Sequence, residues 1–236
     1  MEFLDERGLL DIHARALFTH DGGGRLLSVN EPWGEGPPAP RLFFGRTRAG
    51  NLWRPRADLP EALVEELAAL CADEPASADL RAAPRHADAY VHLLGAHAPM
   101  RRVESGPAYR FEKYHEPARP TLAVTEANAD VLRGGFEEFV EELHSAQPFV
   151  AVLEGGRAVS VCRSVRVTAA AHEAGVETLP AFRGKGYARD VTAGWALMVR
   201  SAGAAPLYST SWENSASQSV ARKLRLVQYA SDFHVT

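Results

Sequence analysis

Little in this 236-residue chain points to thiols, metals or polyanions. Cysteine occurs twice, as Cys71 and Cys162, each among apolar neighbours, so both read as small core side chains and no disulfide is expected. None of the nine histidines stands in H-E-x-x-H or beside a C-x-x-C pair, so no metal site is expected. Lysine is scarce: Lys113, Lys185 and Lys223 are the only ones among 26 basic residues. Basic residues form no run and the formal charge is −4, which leaves no electrostatic footprint for nucleic acid or an anionic membrane. No apolar stretch approaches a membrane span, and Met1 to Glu6 lacks the basic and apolar regions of a secretion signal, so a cytoplasmic protein is expected. What is present is ordinary for a globular protein: 46% hydrophobic and 24% charged residues, enough for one large domain or two modest ones.

One segment carries more information than the rest. Thr178-Leu179-Pro180-Ala181-Phe182-Arg183-Gly184-Lys185-Gly186-Tyr187-Ala188 reads as a strand end, a glycine turn and a helix start in succession. A helix's first turn offers unpaired N–H groups and a partial positive charge, and glycines let an anion approach the backbone. The segment is not a P-loop, which needs G-x-x-x-x-G-K-[ST]. It is not a dinucleotide fingerprint either, since Arg189 stands where the third glycine belongs. What remains is R-x-x-G-x-A, carried by Arg183, Gly186 and Ala188 behind the strand Gly175 to Leu179.

Downstream, Asn214, Ser217, Val220, Ala221, Lys223 and Leu224 give N-x-x-S-x-x-[hydrophobic]-A-x-K-L after a strand that begins near Pro206. Asn214 alone also reads as a helix N-cap. Together, the two segments resemble the GNAT acyltransferase superfamily. With Glu177-Thr178 before the loop, they are most similar to its zwittermicin A resistance branch. The resemblance implies acetyl-CoA as cosubstrate, no metal, and transfer of acetyl to a small-molecule or protein amine by direct attack on the thioester. A homodimer is one assembly it allows. It also implies a coenzyme A site formed by Val176, Thr178, Arg183, Gly184, Lys185, Gly186, Tyr187, Ala188, Arg189, Asn214 and Ser217, with the Thr178 N–H facing the thioester.

The second half reads as an α/β unit of matching order. Thr121 to Glu126 alternates like a strand, and Val131 to His144 repeats Leu132, Phe136, Phe139 and Leu143 at helical spacing. Phe149 to Leu153 and Ala158 to Val165 form a hairpin about Glu154-Gly155-Gly156-Arg157. After the signature strand, a helix over Lys185 to Ala202 aligns Tyr187, Val191, Trp195 and Met198. A strand from Leu207 to Trp212, a helix from Ser215 to Leu224 and a strand from Val227 to Val235 follow. The superfamily ends with two strands and this chain with one, so one sheet position is left empty or filled from the first half.

The first half is not recognised. Ala14 to Thr19 and Leu26 to Val29 flank a turn signal and predict a hairpin, as does Leu42 to Trp53 about Arg48-Ala49-Gly50. A helix is predicted with Asp58 as cap, Glu61 in the capping-box position, and Leu63, Leu67 and Leu70 on one side. Ala72 to Arg85 reads as a loop, Ala108 to Lys113 as a strand and Pro117 to Pro120 as a linker. The expected fold is α/β (α+β): a mixed central sheet of the acyl-CoA N-acyltransferase type with helices on both faces over 118–236, plus a smaller α+β N-terminal domain over 1–117.

Amine attack on a thioester needs a base for the amine proton and donors for the oxyanion. Glu177 is the first candidate base; it also reads as a strand-edge charge paired with an arginine. His172, Glu173 and Glu213 come next. Many family members carry a tyrosine acid seven residues after the asparagine, and here that position is Ala221, leaving Tyr208, Tyr229 or unassisted departure of the thiolate. The missing tyrosine favours one alternative, a noncatalytic acyl-CoA-binding regulatory module.

Overall fold

Short apolar runs build the strands of this chain, and the most fully buried of them lie in one sheet. A computed structural model describes residues 5–236; residues 1–4, which open the stretch read as lacking a secretion signal, lie outside the described residues. In chain order the elements are α1 (Glu6–Leu17), β1 (Phe18–His20), β2 (Leu26–Val29), β3 (Leu42–Thr47), β4 (Gly50–Pro55), α2 (Glu61–Asp73), α3 (Ala87–His97) and β5 (Val103–Arg110). There follow β6 (Leu122–Ala123), β7 (Phe149–Glu154), β8 (Arg157–Val167), β9 (Ala171–Thr178), α4 (Tyr187–Ser201), β10 (Ala205–Ser209), α5 (Ser215–Lys223) and β11 (Val227–Val235). Strands β1 and β2 pair alone, and the others form a nine-stranded sheet in the order β4-β3-β11-β5-β10-β9-β8-β7-β6.

The sheet is mixed, because β10 runs parallel to β9 while its other neighbour, β5, is antiparallel. Strand β5 lies between β10 and β11 and is antiparallel to both, so the position left open by the single C-terminal strand is filled from the first half. Strands β3 and β4 continue the same sheet beyond β11. The boundary drawn at residue 117 therefore does not separate two sheets.

Helices cover both faces. Helix α4 packs Val191, Trp195, Ala196 and Val199 on Val150, Val152 and Cys162. Helix α1 lies on the other face against Phe43, Ala171, Leu207 and Tyr229, its first turn capped by the Asp5 carboxylate, which accepts from the Gly8 N–H at 2.7 Å. On β3 the residues alternate, so Phe43 meets α1 while Leu42 and Phe44 meet α2 and α3. Cys71 and Cys162 are both buried free thiols.

Several expectations fail for local reasons. Val131 to His144 is not an α-helix: 3₁₀ turns cover Glu126–Leu132 and Glu137–Phe139. Gly134 takes φ +97°, and the Glu137 carboxylate accepts from the N–H groups of Gly134 and Gly135, which locks a turn where a helix would run. A Cβ on Gly135 would come within 2.5 Å of Leu179, so the turn also presses on the end of β9. The apolar residues that suggested a helix, Leu132, Phe136, Phe139 and Leu143, are nonetheless all buried. The strand predicted from Thr121 shrinks to Leu122–Ala123. Ala14 belongs to α1, so only Phe18–His20 forms the first arm of the hairpin. Asp58 caps nothing and pairs with Arg56, while Pro60 stands at the N-cap of α2 and Glu61 turns to Arg25. Helix α3 was read from no pattern. In α4, Met198 is 37% exposed and Val199 takes its place in the core, as expected when a 3.6-residue period drifts past an i+3 step.

Candidate functional site

The parallel ladder between β9 and β10 stops early. It joins Ala205, Pro206 and Leu207 to Ala171, His172 and Glu173, after which β9 keeps only β8 and β10 keeps only β5. A wedge opens between the two strands, continuous with a cleft of about 570 Å³ that runs to the start of α4. The Leu179 N–H donates to the Val159 carbonyl at 3.0 Å. By antiparallel alternation, Glu177 then bonds across to β8, while the N–H and C=O of Val176 and Thr178 point into the wedge. The Thr178 carbonyl accepts from Arg183 Nε at 3.2 Å. Its N–H faces the same wedge.

At the far end the chain turns through Gly184 (φ +77°) and Gly186 (φ +90°) before α4 begins. Gly186 is the N-cap and no side chain caps the helix, so the first-turn N–H groups face the cleft. Arg183, Arg189 and Lys223 line the same cleft, as does Glu177, making it net positive. The loop is held from behind. Asp190, 1% exposed, accepts from the Ala118 N–H at 3.0 Å, Arg119 Nη1 at 2.6 Å and Arg189 Nη1 at 2.8 Å. Burial pushes the Asp190 carboxyl up, but these donors outweigh it and hold the group below the usual carboxylate value. Arg119 also donates to the Lys185 carbonyl at 3.0 Å and lies 4.4 Å over the Tyr187 ring, whose hydroxyl reaches Glu154 at 2.6 Å. This cluster escaped the sequence reading, which took Pro117 to Pro120 for a linker. The available signal was Asp190 itself, an acid one position from Val191 on the packed side of the helix.

The residues named from sequence gather around this cleft. Val176, Glu177, Thr178, Arg183, Gly184, Gly186, Tyr187, Ala188, Arg189, Asn214 and Ser217 all line it. Lys185 does not: its ammonium turns back to the Ala181 carbonyl at 3.0 Å. Asn214 does cap α5, accepting from the Ser217 N–H at 2.9 Å. Glu177 is half exposed, on the face away from α4, and Arg163 lies 3.3 Å from its carboxylate while also holding Glu142 at 3.0 Å. His172 faces α4, its Nδ1 2.9 Å from the Ser164 hydroxyl, and burial lowers its pKa. Glu213 is exposed.

The hydroxyl candidates separate cleanly. Tyr208 lines the cleft with its hydroxyl 2.7 Å from Ser217 Oγ, and burial raises its pKa against that hydrogen bond. Tyr229 is fully buried, 2.7 Å from His13 Nδ1, and is not among the residues lining this cleft. Ala221 is packed in the core at 1% exposure. No group of three or more His, Cys, Asp or Glu side chains among the described residues is arranged to hold a metal ion, and no described helix is long and apolar enough to cross a membrane.

Residues 107–229 match the family model described as GNAT acetyltransferase, which covers more than half of the chain. No curated protein matches the chain by sequence. Among solved structures, a GCN5-related N-acetyltransferase-like protein from Streptococcus suis is 15% identical over 84% of this chain and 85% of its own, with a TM-score of 0.49. A putative GNAT acetyltransferase from Novosphingobium aromaticivorans is 16% identical over 58% of this chain, with a TM-score of 0.48. A GNAT-family acetyltransferase from Colwellia psychrerythraea is 14% identical over 72% of this chain, with a TM-score of 0.45. The chain spans 65% of the length of the Novosphingobium protein and 62% of the Colwellia protein.

Proposed function

The chain belongs to the GNAT acetyltransferase family, and from that premise we propose that it transfers acetyl from acetyl-CoA to an amine, as a cytoplasmic N-acetyltransferase of the zwittermicin A resistance type. The observation that carries the reading is the pairing of an unzipped β9–β10 wedge with an uncapped helix N-terminus at the other end of one positively charged cleft. A long ligand with an anionic middle and an extended amide-bearing arm fits both. The pyrophosphate lies on the N–H groups of Gly184 to Ala188 beside Arg183 and Arg189. The pantetheine arm adds to β9 through the backbone of Val176 and Thr178, as an extra strand would.

In this arrangement the Thr178 N–H stabilises the oxyanion and Glu177 takes the amine proton. Glu177 is preferred to Glu173 because both oxygens of Glu173 are engaged inside the protein, one by the Ser209 N–H and one beside His13. Arg163 holds the Glu177 carboxylate in position. The C–N bond forms, the C–S bond breaks, and Tyr208 returns a proton to the thiolate. The acceptor is a small-molecule or protein amine that approaches from the face of Glu177; nucleic acid and membrane are not partners in this reading.

Mixing the chain with acetyl-CoA and a panel of amines, while following free thiol, tests it. Thiol release that depends on one amine class supports the transferase. Tight coenzyme A binding without release on any amine supports a noncatalytic acyl-CoA-binding module instead.

A further inference from the structure

The wedge needs something to keep it open. Ala205 donates its N–H to the Ala170 carbonyl at 2.8 Å, and Thr210 donates to Pro107 on β5 at 3.2 Å. The N–H groups of Ala205, Leu207 and Ser209 therefore all point toward β9. Continued in the same register, the ladder would give the Ser209 N–H to the Ala174 carbonyl. It goes instead to the Glu173 side chain, Oε1 of which accepts it. The carboxylate thus takes the place of the next rung, and β10 has no free donor with which to zip onto β9.

Glu173 is held from the other face of the sheet. It is 4% exposed, and its Oε2 lies 3.2 Å from Nε2 of His13, a residue of α1 that is 1% exposed. That contact is within ion-pair distance but off the line of a hydrogen bond, and both atoms lack any other partner. The opposite ring nitrogen of His13 lies 2.7 Å from the hydroxyl of Tyr229, which is fully buried. A line of polar groups thus runs from β11 through α1 to the point where the sheet divides. A buried carboxylate without a counter-group is costly, and His13 is the group that allows one here.

We propose that Glu173 is a wedge holding the β9–β10 fork open for the acyl donor, and that His13, on a helix outside the matched residues 107–229, is the positioning residue that fixes it. The proposal rests on the donor reading of the cleft. In it, Glu173 acts as a hydrogen-bond acceptor and not as a base, so the acceptor atom matters and the negative charge does not.

The test compares Glu173→Gln with Glu173→Leu, and His13→Gln with His13→Leu, in the full chain. Calorimetry with coenzyme A measures binding, circular dichroism checks folding, and the backbone amide resonance of Ser209 reports the bond itself. Glu173→Gln keeps an acceptor for Ser209 and should bind coenzyme A within about threefold of wild type, while Glu173→Leu should lose at least about tenfold, one decade on the binding scale. His13→Gln replaces the counter-group by a neutral side chain that can donate to Glu173, and should bind more tightly than His13→Leu, which offers Glu173 neither charge nor donor. The Ser209 amide should be shifted downfield in wild type and lose that shift in Glu173→Leu. Equal binding by folded Glu173→Leu and wild type would overturn the proposal, as would equal losses in Gln and Leu. If Glu173→Leu does not fold, the His13 pair decides in the same way. A wild-type chain that fails to bind coenzyme A defeats the donor reading, and the Ser209 resonance still decides the fork.

Discussion

The two ends of the cleft are built in opposite ways. The loop end, where we place the phosphates, is local: Arg183, Gly184, Gly186 and Ala188 are consecutive or nearly so, and their geometry follows from a turn meeting a helix. The fork end joins His13, Glu173, Ser209 and Tyr229, which share no sequence neighbourhood and meet only because β5 and α1 come from the first half to complete the sheet and its cover. In the proposed reading, local geometry holds the donor's phosphates, while the long-range assembly keeps the fork open for its arm and sets where the thioester sits. Substitutions at the loop should therefore act on binding, whereas at the fork Glu173 acts on binding and the groups facing the thioester, Glu177 and Tyr208, act on turnover.

The largest effect is expected at the loop. Gly186→Val places a β-branched residue at φ +90°, and its Cβ would stand 3.5 Å from Arg119 Nη1. Such strain costs on the order of 1–3 kcal/mol and is compounded by blocked approach to the backbone, so coenzyme A affinity should fall by about 100-fold or more. Calorimetry on the folded variant measures it; unchanged affinity would show that the anion is not held here.

At the other end, Glu177→Gln should lower kcat about 100-fold, the lower part of the range for a general base, with KM for acetyl-CoA unchanged. Arg163 keeps Glu142 as a partner, so the fold should hold. A matching rise in KM would erase the division between the two ends. Steady-state kinetics at saturating amine makes the distinction.

The same division explains what was legible in the sequence. Gly184, Gly186, Asn214 and Ser217 were found because their spacing along one strand, turn or helix is itself the geometry. The strands β7 to β11 were found because each is a short stretch bounded by turn or loop residues; β7, β8 and β10 are buried in continuous runs. The run from Val131 to His144 misled because its apolar spacing records which side chains are buried, whereas Gly134 and the Glu137 carboxylate decide the backbone. Nothing near His13 announces Glu173, and nothing near Ala118 or Arg119 announces Asp190. Contacts across 70 or more positions leave only an indirect trace, a charged residue on a buried face.

Asp190 sharpens the comparison with a smaller effect. Asp190→Asn keeps the shape but weakens the bonds from Arg119 and Arg189, and coenzyme A affinity should fall about tenfold with kcat preserved, roughly the worth of one charge-assisted hydrogen bond. Its pH dependence has a defined sign. The carboxyl is held below its ordinary value of 3.8, so its contribution to stability is present above that value and is lost as pH falls through the depressed one. Between about pH 5 and pH 8 the clamp is constant. Below about pH 4 the wild-type melting temperature should fall more steeply than that of Asp190→Asn, and parallel melting curves would exclude the carboxylate as the source.

The smallest effect belongs to Tyr208, and its size decides how much chemistry the fork end performs. Burial keeps the phenol protonated, and Ser217 Oγ at 2.7 Å orients it, so it can deliver a proton to sulfur. A thiol's ordinary pKa of about 8.5 makes thiolate a good leaving group, however, and protonation contributes less to its departure than to that of an alkoxide or amine. Tyr208→Phe should therefore lower kcat by about tenfold or less, well under the 10²–10⁴ available to a proton transfer that limits the rate. Pre-steady-state release of thiol in wild type and variant measures the step directly. A loss near that of Glu177→Gln would mean that both proton transfers depend on the fork. A loss near zero, with Ala221 already buried in the core, would leave the thiolate departing unassisted and confine the fork's chemistry to the amine.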